Sequence, residues 1–102
     1  MNRGEPFVAL VIYPSRPEAQ AHDIETLLKL SAEHVRVLPG FVRGRIFVSE
    51  DGANLVSQTE WRDRASFEQF RDSEIGRAAV RFAAELRPKA YWLRQHAVVE
   101  AP

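Results

Sequence analysis

The sequence predicts an α+β fold of the ferredoxin-like kind, with a four-stranded antiparallel sheet covered by two helices on one face. Two observations support it: helical patterns separate the strand-like runs in the order strand, helix, strand, strand, helix, strand, and an Asp-Gly pair joins the two middle strands. The chain has 102 residues, so we predict one domain over 1–102 with a core from about 7 to 99.

The first strand is predicted over Phe7–Tyr13, because this run is almost wholly apolar, as in a central strand covered on both faces. Prolines follow it, and proline cannot donate a hydrogen bond to a sheet. A helix is predicted from about Pro17 to Leu38, where apolar residues recur at three- and four-residue steps. Pro39 and Gly40 end this helix.

The second and third strands are predicted as a hairpin over Phe41–Ser49 and Ala53–Trp61, with a turn at residues 50–52. Simple alternation along the second strand places four residues on one face: Phe41, Arg43, Arg45 and Phe47. On the third strand, the shared face carries Leu55, Ser57, Thr59 and Trp61.

The second helix is predicted from Asp63 to about Leu86, with a break near residues 72–73. Asp63 is a good N-cap, and Ser73 is a good cap for a new start after the break. The last strand is predicted over Ala90–Val99, with His96 on the same face as Trp92 and Arg94.

With both helices on one face, the other face of the sheet would hold apolar side chains from all four strands. Such a face is too apolar to remain exposed to water. Two copies packed sheet against sheet would cover it, so we predict a homodimer with two-fold symmetry through the open face.

Composition excludes several classes of function. The chain has 14 basic and 14 acidic residues, whereas nucleic acids and anionic membranes attract a basic excess. We therefore expect neither partner. With no cysteine, thiolate chemistry and zinc–thiolate sites are excluded. His22 and Glu25 have helical spacing, but two residues are weak grounds for a metal site, and none is predicted. We see no signal peptide and expect a cytoplasmic protein.

Trp61 is the candidate around which a site is predicted, because it ends a strand immediately before the turn into a helix. A large aromatic residue at that place tends to lie at the mouth of the space between sheet and helix. We therefore expect a ligand in that space. Without further information, a tryptophan at such a place is more often a core or interface aromatic than a ligand contact.

Two motifs carry a resemblance to a known family. The run Leu38-Pro-Gly-Phe41 leads into a strand, and the run from Trp61 through Phe67 to Phe70 leads from a strand into a helix. Together they resemble the antibiotic biosynthesis monooxygenase domain over nearly the whole chain, 7–99. The resemblance implies a ferredoxin-like fold that pairs into a dimeric α/β barrel. It also implies oxidation of polyketide phenols, anthrones or quinols by dioxygen, with no metal, flavin or haem as cofactor.

The resemblance also implies roles for single residues. Trp61 stands where the family's cavity tryptophan stands, and Arg81 is the best match to the arginine of the second helix. Ser57 occupies the place of an asparagine on the same strand face as Trp61. These three are the predicted catalytic residues. Four further residues are predicted to contact the substrate: Thr59, Phe67, Phe82 and His96. Ser57 or Thr59 would orient a carbonyl, and Phe67 stands where some members carry an aromatic hydroxyl. The candidates for the base are His96, a water, and Glu60, although Glu60 is predicted on the face opposite Trp61.

Other functions stay open. The haem-degrading members need a helix histidine about ten residues after the tryptophan, where this chain has Arg71, so haem degradation is not expected. The runner-up is a non-catalytic dimeric protein of the same fold that binds a small ligand. A third reading is an enzyme that isomerises or cyclises its substrate. Because sites rather than folds carry function, the geometry around Trp61 separates these readings.

Overall fold

The computed structural model of the chain describes residues 6–15 and 17–102. Its elements are β1 (Phe7–Pro14), α1 (Gln20–Leu30), β2 (Phe41–Val48), β3 (Asn54–Trp61), α2 (Arg64–Asp72), α3 (Glu74–Ala84) and β4 (Lys89–Arg94). One turn of π-helix, Ser31–Val35, extends α1. This order confirms the predicted α+β, ferredoxin-like arrangement. In the part of the chain that the structure describes, no helix is long and apolar enough to cross a membrane.

The four strands form one antiparallel sheet in the order β2-β3-β1-β4. The two central strands are β3 and β1, in which Ala9 pairs with Thr59 and Val11 pairs with Ser57. On the other side of β1, Ala9 pairs with Trp92 of β4. These pairings bring the helix-facing residues of the three strands together in the middle of the sheet.

The core lies between the helices and one face of the sheet, in two clusters of buried residues. One cluster joins Phe7, Ala9 and Trp61 of the sheet to Val35 and Phe67 of the helical layer. The other joins Tyr13 and Leu55 of the sheet to Leu27 of α1. Both clusters use alternate residues of β1 and β3, as the period of a strand requires.

Strand β2 departs from simple alternation. Phe41 pairs with Trp61, but Arg43 pairs with Glu60, so two steps on β2 oppose one step on β3. This β-bulge turns Phe41 toward the helices, where its ring meets the indole of Trp61 with 5.3 Å between centroids. The prediction that Phe41 shares a face with Arg43 is therefore wrong. A bulge places one extra residue in a strand and so reverses the alternation of faces beyond it, and the sequence pattern does not show where this happens.

The break in the second helical region is confirmed, and both predicted caps form. The Asp63 Oδ1 atom accepts a hydrogen bond from the Ser66 backbone N–H at 2.8 Å, where α2 begins. The Ser73 hydroxyl oxygen accepts one from the Gly76 N–H at 3.1 Å, where α3 begins. Each cap satisfies a backbone donor that has no partner inside the helix.

The ends of two elements differ from the predictions. The first helix starts at Gln20, after a turn at residues 17–19, and its regular part ends at Leu30 rather than Leu38. Strand β4 ends at Arg94, and residues 95–102 have no regular secondary structure. The prediction of a strand to Val99 is therefore wrong. The sequence pattern does not mark an end at Arg94, but the paired residues of β1 end at Phe7, opposite Arg94.

Candidate functional site

A cavity of about 550 Å³ lies between the sheet and the helices. Its floor consists of helix-facing residues of β1, β3 and β4, including Val11, Ser57 and Ala90. Residues of α1, α2 and α3 form the remaining walls, among them Leu27 and Ala83. The volume falls in the usual range of sites for small organic ligands, about 300–1,000 Å³.

A smaller cavity of about 240 Å³ lies beside it, toward β2. Phe41 and Ile46 of β2 contribute to its wall. Three hydroxyl residues, Ser31, Ser57 and Thr59, line both cavities. They place polar atoms at the junction of two otherwise mainly apolar spaces.

Aromatic rings line the end of the larger cavity near α2. Phe67 contacts Trp92 with 5.0 Å between ring centroids, and Phe70 lies 6.3 Å from Phe67. Phe82 of α3 lines the same cavity. Tilted ring pairs at these separations are favourable, and together they offer a flat ligand several aromatic surfaces.

The structure does not place Trp61 on the wall of this cavity. The side chain is fully buried, with 0% of its surface exposed, and it lines neither cavity. Phe70 stacks on it at 5.2 Å between centroids, and Phe67 meets it edge-on at 6.1 Å. These rings and Phe41 fill the space that was expected to admit a ligand. The indole N–H donates to the Thr59 hydroxyl oxygen at 3.0 Å, so its one polar atom is satisfied.

Two other predicted site residues also lie away from the cavities. Arg81 is exposed on α3 and lines neither cavity, whereas its neighbours Val80 and Phe82 line the larger one. His96 is exposed and lies beyond the end of β4, so it is not in the strand where alternation placed it. The structure does bring together the other four predicted residues, Ser57, Thr59, Phe67 and Phe82, around the larger cavity.

Sequence reasoning missed Tyr13, which lines the larger cavity and is only 5% exposed. Burial raises the pKa of its phenol to about 12, so the group is protonated at neutral pH and can donate a hydrogen bond. A usable signal existed, since Tyr13 is the one residue with a polar side-chain atom in the run 7–13. The wholly apolar character of the rest of that run concealed which face would meet the helices.

Ser31 and Arg71 were also missed as site residues. Ser31 interrupts the apolar stripe of the first helix, and a hydroxyl on such a stripe indicates a polar atom facing the sheet. Arg71 lines the larger cavity near the end of α2, with its Nε atom 3.4 Å from the Asp72 carboxylate. Its side chain is 39% exposed, so solvent screens that pair.

Among the described residues, no group of three or more histidine, aspartate or glutamate side chains is arranged to hold a metal ion. No histidine or carboxylate occurs among the described residues that line the two cavities. The polar chemistry available to a ligand there is therefore that of hydroxyls, a phenol and guanidinium groups. Such groups bind and orient oxygen atoms of a ligand.

Comparison with known proteins identifies the family. Residues 7–81 match the family model described as antibiotic biosynthesis monooxygenase. Tetracenomycin-F1 monooxygenase of Streptomyces glaucescens is 30% identical over 61 residues, which cover 60% of this chain and 54% of that enzyme. The chain thus spans about half the length of this curated relative.

Solved structures with the same fold include a protein from Mycobacterium tuberculosis, with a TM-score of 0.73 and 20% identity over 95% of this chain and 99% of that one. They also include a Streptomyces coelicolor monooxygenase in complex with nanaomycin D. Its TM-score is 0.67, with 24% identity over 94% of this chain and 92% of that one. These likenesses establish the fold.

Proposed function

The chain belongs to the antibiotic biosynthesis monooxygenase family, and we propose that it oxidises an aromatic, polyketide or quinol-type small molecule with dioxygen in the larger cavity. The observation that carries this proposal is the cavity of about 550 Å³, which has aromatic walls and hydroxyls at one side. A flat ring system would stack against Phe67 and Trp92 and reach Ser57 and Thr59 with an oxygen atom.

The chemistry balances without an external reductant for an anthrone-type substrate. Dioxygen oxidises a ring CH₂ group to a carbonyl, so that one oxygen atom enters the product and the other leaves as water. The four electrons come from the substrate carbon, and its two hydrogens end in the water. The reaction starts when the substrate loses a proton and its electron-rich anion transfers an electron to dioxygen.

This chain's residues would hold and stabilise that anion. The hydroxyls of Ser57 and Thr59 donate to its oxygen, and the protonated phenol of Tyr13 is a third donor on the same cavity. The mainly apolar walls lower the polarity around these bonds, which strengthens them. Since no carboxylate or histidine occurs among the described lining residues, we propose that water accepts the proton.

We also propose that the protein works as a homodimer through the open sheet face. The residues of β2 and β4 on this face remain largely exposed in one copy: Phe47 is 48% exposed, Tyr91 47% and Leu93 40%. Val8, Leu10, Ile12 and Val56 form the half-buried centre of the face. A second copy packed on it would remove this apolar surface from water.

A second candidate function is ligand binding without oxidation. It is favoured by the same lack of a histidine or carboxylate among the described lining residues, because such a side chain is the usual general base at neutral pH. In that case the cavity would bind the same class of aromatic compound and leave it unchanged.

Oxygen uptake by the purified protein, with no added cofactor, tests these proposals against a panel of anthrones, naphthols and hydroquinones. Ala79→Phe would fill the larger cavity, while Ala65→Phe adds the same ring at an exposed position of α2 that lines neither cavity. We expect protein-dependent uptake that is lost in the first variant and kept in the second. Saturable binding without uptake would support the non-catalytic function, and uptake that survives in Ala79→Phe would contradict this site.

A further inference from the structure

The hydrogen bond between Trp61 and Thr59 has a fixed direction. The indole N–H is a donor only, so the Thr59 Oγ1 atom, 3.0 Å from it, is the acceptor. Thr59 retains its own hydroxyl hydrogen and lines both cavities. Accepting one hydrogen bond polarises a hydroxyl and makes it a better donor in the next. The pair therefore favours donation from Thr59 to a ligand.

Trp61 cannot turn away from this bond without disturbing the core. Phe41, Phe67 and Phe70 pack against its rings, and none of its surface is exposed. A buried indole N–H needs a partner, and Thr59 is that partner here. Core packing thus determines where the acceptor oxygen of Thr59 must lie.

The side chain of Thr59 is also restricted from its other branch. Its Cγ2 methyl group faces Gly44 of β2, at 3.8 Å from the position that a Cβ atom would take there. A β-branched side chain has few favourable χ1 angles. With the methyl facing β2 and the hydroxyl bonded to Trp61, the rotamer is settled before any ligand enters.

We propose that Thr59 is the hydrogen-bond donor that recognises an acceptor oxygen of an aromatic ligand, and that Trp61 positions Thr59 for this purpose. The ligand class is a ring system with a carbonyl or phenolate oxygen, rather than an amine or an unsubstituted hydrocarbon. Trp61 is then a positioning residue that acts through Thr59, without touching the ligand. This inference rests on the proposed function, since it names how the larger cavity selects its ligand.

The test uses two soluble probes of nearly equal shape, anthraquinone-2-sulfonate and anthracene-2-sulfonate, of which only the first has carbonyl oxygens. Binding would be measured by calorimetry. Thr59→Val keeps the shape of the side chain and removes its hydroxyl. We expect it to weaken anthraquinone binding about tenfold, which is the effect of one hydrogen bond. Binding of the anthracene probe should change less than twofold.

Further variants separate positioning from general damage. Thr59→Ser retains a hydroxyl and should restore the preference for the quinone. Trp61→Phe should reduce that preference, and the double variant Trp61→Phe/Thr59→Val should reduce it no further than Thr59→Val alone. Thr26→Val is the matched control, because the Thr26 hydroxyl bonds to the His22 carbonyl on α1 and lines neither cavity.

Infrared spectra of the bound quinone provide an independent readout. A carbonyl that accepts a hydrogen bond absorbs at lower frequency, so the band should move upward in Thr59→Val and return in Thr59→Ser. Equal weakening of both probes, or additive losses in the double variant, would overturn the inference while leaving the cavity as a binding site. If the wild-type protein bound neither probe, the proposed function itself would fail.

Discussion

The two faces of the sheet are built from alternate residues of the same strands, yet they differ in what they leave uncovered. The helix-facing side of β3 carries Ser57 and Thr59 between two fully buried residues, Leu55 and Trp61, and a cavity remains above the hydroxyls. The open side carries the apolar residues Val8, Leu10, Ile12 and Val56 at its centre, with Gln58 and Glu60 beside them, and no helix of the described residues covers it. We therefore propose one face as the ligand site and the other as the interface between copies.

The helix-facing side itself contains a second contrast. Around Trp61, the rings of three phenylalanines, Phe41, Phe67 and Phe70, fill the space between helices and sheet. Near Tyr13 and Phe82, side chains do not fill the space between the helices and the sheet, and the larger cavity remains there. The close packing around Trp61 holds the hydroxyl of Thr59 in place at the edge of the larger cavity. The predictions below test these contrasts, beginning with the largest expected effect.

The open face should lose its partner when a charge is placed at its centre. Val56→Glu puts one carboxylate on each copy, and burying it beside the apolar neighbours Ile12 and Phe47 would cost several kcal/mol. We expect a dimer in the wild type and a folded monomer in the variant, measured by size-exclusion chromatography with light scattering. Val37→Glu is the matched control at a position that is 72% exposed, and it should remain dimeric. A monomeric wild type would refute the proposed dimer.

The filled end should be far more sensitive to truncation than the cavity wall. Trp61→Ala removes a fully buried indole, and we expect a loss of about 3–5 kcal/mol in the free energy of unfolding. Trp92→Ala removes the same side chain at a position that is 45% exposed and faces the cavity, so its loss should be about half as large. Urea denaturation measures both. Equal losses would mean that the two ends are packed alike.

The stability that α2 contributes should depend on the charge of its N-cap residue, Asp63. Hydrogen bonds from Ser66, first through its backbone N–H, lower the pKa of Asp63 below its ordinary value of 3.8. Because the folded-state pKa is the lower one, the stabilising contribution is complete above about pH 4 and is lost as pH falls through the folded-state value. We expect Asp63→Ala to cost about 1 kcal/mol at pH 7.

That cost should shrink as the pH falls below about 4 and through the lowered pKa of the folded state, where the wild-type carboxylate becomes protonated. Asp72→Ala is a useful comparison at the other end of α2, since the Asp72 carboxylate is exposed. Among the described residues, its one ion pair is with Arg71, at 3.4 Å. A surface change of this kind should alter the free energy of unfolding by less than about 0.5 kcal/mol. A pH-independent loss in Asp63→Ala would indicate that the cap acts without its charge.

Much of this architecture could be predicted from local patterns. Asp63 and Ser73 act within three residues of themselves, so their caps were readable from the sequence. The face shared by Ser57, Thr59 and Trp61 follows from the two-residue period of a strand. The bulge beside Phe41 was not predictable in this way, because it depends on pairing with a different strand.

The main difference at the site is that Trp61 packs inward and Tyr13 faces the cavity. Each is a large aromatic residue near the end of its strand, on the face that meets the helices. Nothing in the sequence of either strand distinguishes the end where side chains fill the space from the end where the cavity remains. The difference arises from α2, which brings Phe67 and Phe70 onto the indole. Contacts between distant elements decide which aromatic meets a ligand, and a pattern within one element does not record them.

The smallest expected effect concerns Arg81, for which the family resemblance implies contact with the substrate anion. In this structure the side chain is exposed and lines neither cavity, while Arg71 of α2 lines the larger one. If position relative to the cavity decides the role, Arg71→Ala should weaken binding of an anionic aromatic ligand more than Arg81→Ala does. We expect a change of less than twofold for Arg81→Ala and a several-fold weakening for Arg71→Ala, since a charged hydrogen bond in a half-exposed site contributes about 1 kcal/mol.

Titration of both variants with anthraquinone-2-sulfonate would measure this difference, and repeating it in high salt would show whether it is electrostatic. A larger loss in Arg81→Ala would support the role implied by the resemblance. It would also require α3 to turn when ligand binds, because Arg81 and Phe82 are adjacent on a helix and Phe82 already faces the cavity. Equal, small effects would place the sulfonate in solvent and leave Thr59 as the main determinant of orientation.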